Sequence, residues 1–166
     1  FQFYPAVSDG QLLFMQHIAC QLADTGIAVE VHNGSTLFSG DAGGGESNIR
    51  KYFFDRDWVE AIVQMPSDEF FNTGIFTYLW IMNKNKAPER KDKVMLIDGS
   101  NGWKLLKKSK GNKRREMLPE HRAKIVDALT AFEDCEIGKV FDKWHFYYNK
   151  QALVLTEVDD EGQSVL

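Results

Sequence analysis

Between residues 67 and 75 the chain reads Ser67-Asp68-Glu69-Phe70-Phe71-Asn72-Thr73-Gly74-Ile75. An aromatic pair beside small, polar and glycine residues, on a loop between two apolar segments, puts flat rings and closely approachable backbone at one end of a sheet. A planar ligand can stack there. Two Phe next to a strand also serve plain packing, and composition alone leaves both uses open.

Other chemistry-bearing residues are more scattered. Gly40 to Gly45 is glycine-rich ahead of a helical segment, which exposes backbone amides in the manner of a phosphate cradle. It lacks the Lys-Ser or Lys-Thr of a nucleotide-hydrolysing loop and does not fit GxGxxG, so it is read as a mobile connection near the active face. Lys104 to Arg115 contains seven Lys or Arg and no acid. Lys107, Lys108, Lys110, Lys113, Arg114 and Arg115 form either a solvated loop or a set of phosphate contacts, and in the second case the run should be disordered without nucleic acid. His17, His32, His121 and His145 have no Cys or carboxylate at ligand spacing, and no GxSxG elbow supports a hydrolase. Cys20 and Cys135 show no CxxC pattern, which argues against a zinc site or a disulfide framework and fits a reducing cytosol.

These groups must be positioned by a chain of 166 residues, 43% hydrophobic, enough for one core in one domain or part of a larger one. A net charge of −4 gives no overall basic signal, so any contact with nucleic acid must be local. No apolar run approaches a membrane span and no basic-then-apolar leader opens the sequence; a cytoplasmic location is expected. The opening Phe1-Gln2-Phe3-Tyr4-Pro5, without Met, is expected to be the interior of a longer protein.

Apolar spacing predicts a helix over 11–23, capped by Ser8 or Asp9, and a strand over 27–31 that turns at Asn33-Gly34. A helix over 47–54 with Ser47 as cap follows, then strands over 58–65, 75–82 and 94–98. The 75–82 strand can run antiparallel, because its connection is too short for a helix. The basic run cannot pack as a core and is predicted to be a loop. Pro119 opens another helix whose apolar face is Ile125, Val126, Leu129 and Phe132. Alternation at Leu153-Val154-Leu155 suggests a further strand.

In order along the chain, Ile27 to Gly40 (IAVEVHNGSTLFSG), Ile49-Arg50-Lys51, Val59-Glu60-Ala61-Ile62-Val63 and the Phe-Phe-Asn-Thr-Gly-Ile corner resemble the later half of the catalytic domain in the modification subunit of type I restriction-modification systems. The likeness is strongest from about Asp9 to Ser100. It rests on the ordered series, since no one motif in it is specific. The resemblance implies an α/β fold: the later half of a Rossmann-like methyltransferase sheet, a partial domain with a helix and strand extension at its C-terminal end. Residues 1–100 would be that half, 101–117 the basic loop and 118–166 an extension.

It also implies an S-adenosylmethionine-dependent adenine DNA methyltransferase that works with a specificity subunit and a nuclease subunit. In related enzymes the target base is turned out of the duplex and held between aromatic rings. By that resemblance Phe71 would supply the ring, with Phe70 facing the core. Thr73 and Gly74 would let backbone approach the base, and Asn33 would stand in the family's substrate-binding turn. Asp9 and Phe14 fall where relatives touch the adenine of the methyl donor, S-adenosyl-L-methionine. The spacing between these two is longer than the commoner family form, and a capping Asp with a core Phe explains them equally.

The family's Phe-x-Gly-x-Gly and Asn/Asp-Pro-Pro-Tyr/Phe motifs are both missing from the 166 residues. The resemblance places them upstream, so this polypeptide alone is expected neither to bind the donor tightly nor to methylate. It would leave the 27–31 strand with an unpaired edge open to self-association. A non-enzymatic module presenting the basic run and the aromatic 141–148 segment is the alternative, and a fused nuclease-methyltransferase a third.

Overall fold

The computed structural model describes residues 3–152, 157–158 and 160–165. Its centre is a mixed five-stranded sheet in the order β1-β3-β2-β4-β7, built from β1 (Ile27–Asn33), β2 (Val59–Gln64), β3 (Thr77–Asn83), β4 (Lys93–Asp98) and β7 (Gly138–Asp142). β2 and β3 pair antiparallel, and the segment that joins them contains no helix. β2 and β4 run parallel, and β7 closes the far edge antiparallel to β4. The whole is consistent with a partial α/β methyltransferase domain.

β2 lies inside the sheet with both faces covered, and its first five residues are buried. On one face, α1 (Gln11–Gln21) and α3 (Gly45–Asp55) bring Leu12, Met15, Ile49 and Phe53 against Trp80, Met82 and Val94. On the other, α4 (Pro119–Ala131) covers Val63, Ile81, Met95 and Ile97 with Ala128 and the following Phe132. Two buried polar groups are held by hydrogen bonds: Trp80 Nε1 donates to Thr36 Oγ1 at 3.2 Å, and the carboxylate of buried Glu60 accepts from Asn83 and Arg90 at 3.0 Å each.

β1 is an edge strand with β3 as its one partner among the described residues. Its amphipathicity is inverted. Ile27, Val29 and Val31 are exposed, while Glu30 and His32 turn inward, 3.2 Å apart.

Several expectations need correction. The basic run is an antiparallel hairpin, β5 (Lys104–Lys110) and β6 (Lys113–Glu116), and not a loop; a two-stranded ribbon has no face that must be apolar when other contacts hold it. Gly44, in extended conformation, is the N-cap of α3, and Ser47 lies inside the helix. α1 is likewise capped by Gly10, although Asp9 Oδ1 accepts the Gln11 amide at 3.1 Å from just outside. Val126 is 58% exposed, and Ala128 takes the inward place assigned to it. A short helix, α2 (Ser35–Phe38), follows β1 without having been anticipated. The strand expected at Leu153-Val154-Leu155 lies outside the described residues; nearby, β8 (Glu157–Val158) pairs with β9 (Ser164–Val165).

Candidate functional site

Asp9 and Asn33 come together through Gln11, a residue that the sequence did not mark. In the first turn of α1, Gln11 Nε2 donates to Asp9 Oδ1 at 3.2 Å, Asn33 Oδ1 at 3.1 Å and Ser35 Oγ at 3.1 Å. Gln11 Oε1 accepts the Asn33 amide at 3.0 Å. Asn33 Oδ1 also accepts the amide and the hydroxyl of Ser35, at 2.9 and 2.5 Å. One polar knot therefore fixes the entrance of α1 against the turn leaving β1.

Phe14 stands one turn along α1 from this knot. At 66% exposed it is not a core residue, and with Gly10, Leu13 and His17 it lines a shallow recess of about 360 Å³. An open apolar ring offers a face for stacking.

The aromatic corner leaves the same end of the sheet, because Asn33 pairs with Thr77 at the start of β3. Asp68, with φ of 57°, donates its amide to the Gly74 carbonyl at 3.3 Å and closes the corner. Phe71 is 64% exposed, Phe70 half-buried, and Ile75 and Phe76 are exposed beside them. Thr73 Oγ1 accepts the Ile75 amide at 3.4 Å. A Cβ on Gly74 would meet Asp68 Oδ1 at 2.8 Å, so glycine lets the two limbs of the corner close.

The hairpin is docked on this corner. The amides of Arg114 and Arg115 donate to the Asp68 carbonyl at 2.9 and 3.1 Å, and that of Asn112 donates to the Phe71 carbonyl at 2.9 Å. Lys113 Nζ lies 2.8 Å from Glu69 Oε1 and 5.7 Å from the Phe71 ring centre. Arg115 donates to Ser67 Oγ at 2.7 Å and stacks over Trp103 at 4.0 Å. Geometry thus divides the basic run. Lys113 and Arg115 turn inward to hold the corner, whereas Lys107, Lys108, Lys110 and Arg114 are exposed.

Behind the turn, a cavity of about 1100 Å³ opens on the α3 side of the sheet, over Ile62, Gln64, Tyr78 and Leu96 and beneath Phe146 and Tyr148. Arg50 at its rim donates to the carbonyls of Thr36 and Ser39 at 3.3 and 2.6 Å, and burial lowers its pKa. The glycine loop is folded on itself, with the Gly44 amide donating to the Asp41 carbonyl and Asn48 Nδ2 to the Gly43 carbonyl, each at 2.8 Å. Cys20 and Cys135 are free, and no His, Cys, Asp and Glu group among the described residues could hold a metal. No helix among those residues is long and apolar enough to cross a membrane.

The family model for N-6 DNA methylase matches residues 2–155. The chain is similar to the methylase subunit of the type I restriction enzyme MpnII of Mycoplasma pneumoniae, 33% identical over 75% of this chain and 21% of the relative. It is similar also to that of HindI of Haemophilus influenzae, 31% identical over 78% and 27%. The solved methyltransferase subunit of a type I restriction-modification system from Streptococcus thermophilus superposes with a TM-score of 0.71 and 27% identity, covering 82% of this chain and 27% of that one. The M protein of the type I restriction enzyme EcoKI superposes at 0.56 with 25% identity, covering 72% and 24%. Across the curated relatives the chain spans between 16% and 27% of their length.

Proposed function

Since the chain belongs to the N-6 DNA methylase family, with type I methylase subunits as its relatives, we propose that it forms the base-holding wall of an adenine DNA methyltransferase. The observation that carries this is the meeting, at one end of the sheet, of the Asp9–Gln11–Asn33 knot and the exposed Phe71 corner.

Phe71 stacks on the extruded adenine and offsets lost base stacking, a contact worth about 1–3 kcal/mol per base. Thr73 and Gly74 bring backbone close to that base, and Asn33 presents the adjoining turn. Asp9 and Phe14 hold the adenine of S-adenosyl-L-methionine, and the exposed ring of Phe14 fits a planar partner. When bound, that donor supplies a methyl group on a sulfonium centre. The residues here exclude water from the base and orient it. Lys107, Lys108, Lys110 and Arg114 neutralise phosphates of the same DNA, and sequence choice and cutting belong to specificity and nuclease subunits.

Residues 1–166 alone transfer no methyl, because the glycine-rich donor loop and the Pro-Pro loop are not among them. The free edge of β1 lets such chains self-associate. Calorimetry with S-adenosylmethionine and tritium-methyl transfer into unmethylated DNA test this, comparing residues 1–166 with the protein as its gene encodes it. Binding and transfer are expected from the encoded protein with its partner subunits and not from residues 1–166. Turnover by residues 1–166, or inactivity of the encoded protein with its partner subunits present, contradicts the proposal.

A further inference from the structure

We infer that Glu69 is a positioning residue, a latch that ties the Phe70-Phe71 corner to the basic hairpin so that the base-stacking ring and the exposed cationic strand move as one body. The inference rests on the base-holding role proposed for Phe71.

Glu69 lies in the loop, yet its side chain is only 15% exposed. Both oxygens are engaged by groups 44 or more residues away: Oε1 pairs with Lys113 Nζ at 2.8 Å, and Oε2 accepts the Met117 amide at 3.1 Å. Lys113 opens β6 and Met117 follows its last residue, so one carboxylate grips both ends of that strand. Three backbone bonds, from Asn112 to Phe71 and from Arg114 and Arg115 to Asp68, complete the contact. A charged group so enclosed is costly unless paired, and its loss leaves the Lys113 ammonium and the Met117 amide without their acceptor. The corner contains neither a helix nor a sheet ladder of its own. Beyond the Asp68–Gly74 closure and the Thr73–Ile75 bond, its shape is held by the hairpin, which aims Phe71. Lys113, 5.7 Å from the Phe71 ring, links the carboxylate to the ring directly.

The latch predicts coupling between two distant readouts in the encoded protein with its partner subunits. Glu69→Ala should speed deuterium exchange at the amides of Asn112, Arg114, Arg115 and Met117, and lower kcat for methyl transfer about tenfold while KM for DNA stays within about threefold. Glu69→Gln, which keeps an acceptor for the Met117 amide, should recover most of both and guards against a misfolded alanine variant. Unchanged exchange in Glu69→Ala overturns the latch. Faster exchange with wild-type kcat overturns its positioning role. Phe71→Ala separates this from failure of the parent proposal. If it lowers kcat while Glu69→Ala does not, the latch alone falls; if both variants turn over normally, the base-holding role of Phe71 falls and the latch with it.

Discussion

Individual residues divide into exposed ones, to which the proposed function gives a ligand, and ones that hold their neighbours still. Lys107, Lys108, Lys110 and Arg114 are exposed, whereas Lys113 and Arg115 are tied to Glu69 and Ser67. Replacing both Lys108 and Lys110 by alanine should reduce the slope of log affinity against log salt by about two, and Lys113→Ala should leave it nearly unchanged; filter binding of DNA across a salt series measures this. A second group acts on stability. Glu46 accepts the Ala6 amide at 2.6 Å, and that bond holds its carboxyl below the ordinary 4.5. A depressed folded value means that the stabilisation is present above the unfolded value and is lost as pH falls through the folded one. Glu46→Gln should thus melt below wild type at neutral pH, with the gap closing on acidification below 4.5, in a series of Tm measurements against pH. Asp9, Asn33 and Phe71 were singled out through the family resemblance that the order of segments carries. Gln11 and Glu69 were not, since their partners lie 22 and 44 or more residues away and nothing local in their neighbourhoods announces them.

Among the elements, the hairpin is where sequence and structure part most. Its charge made it look like solvated coil, and nothing in its composition could disclose that Phe71 and Asp68 accept its amides. Gly111 is the element's hinge point. Its φ is +64°, and a Cβ there would stand 2.6 Å from the Phe71 carbonyl oxygen. Gly111→Ala combines a left-handed backbone with a clash and should cost about 1–3 kcal/mol of hairpin docking. Limited trypsin digestion, aimed by the many Lys and Arg in the run, should cut the variant between residues 104 and 115 well before wild type. The regular elements were far more legible. β2 and β3 carry long apolar stretches joined by a segment without a helix, which allows the antiparallel pairing observed, and Pro119 fixes the start of α4. Capping was less so, because glycines at 10 and 44 took places that Ser8, Asp9 or Ser47 could have filled.

For the whole molecule, the sheet carries the Asn33 turn and the Phe71 corner at one end and its apolar mass on both faces, with β1 at an edge carrying an exposed apolar stripe. The order of segments made the family legible, although the chain spans little more than a quarter of any of these relatives. The sheet order was hidden, since β3 inserts between β1 and β2 and sequence order does not reveal that insertion. Under the proposed function this chain helps modify adenine in DNA. Nucleoside mass spectrometry tests it most directly, on unmethylated DNA incubated with the encoded protein, its partner subunits and S-adenosylmethionine. The account predicts N6-methyldeoxyadenosine, reduced about tenfold or more in Phe71→Ala. Methyl on cytosine, or no methylated base at all, would contradict it.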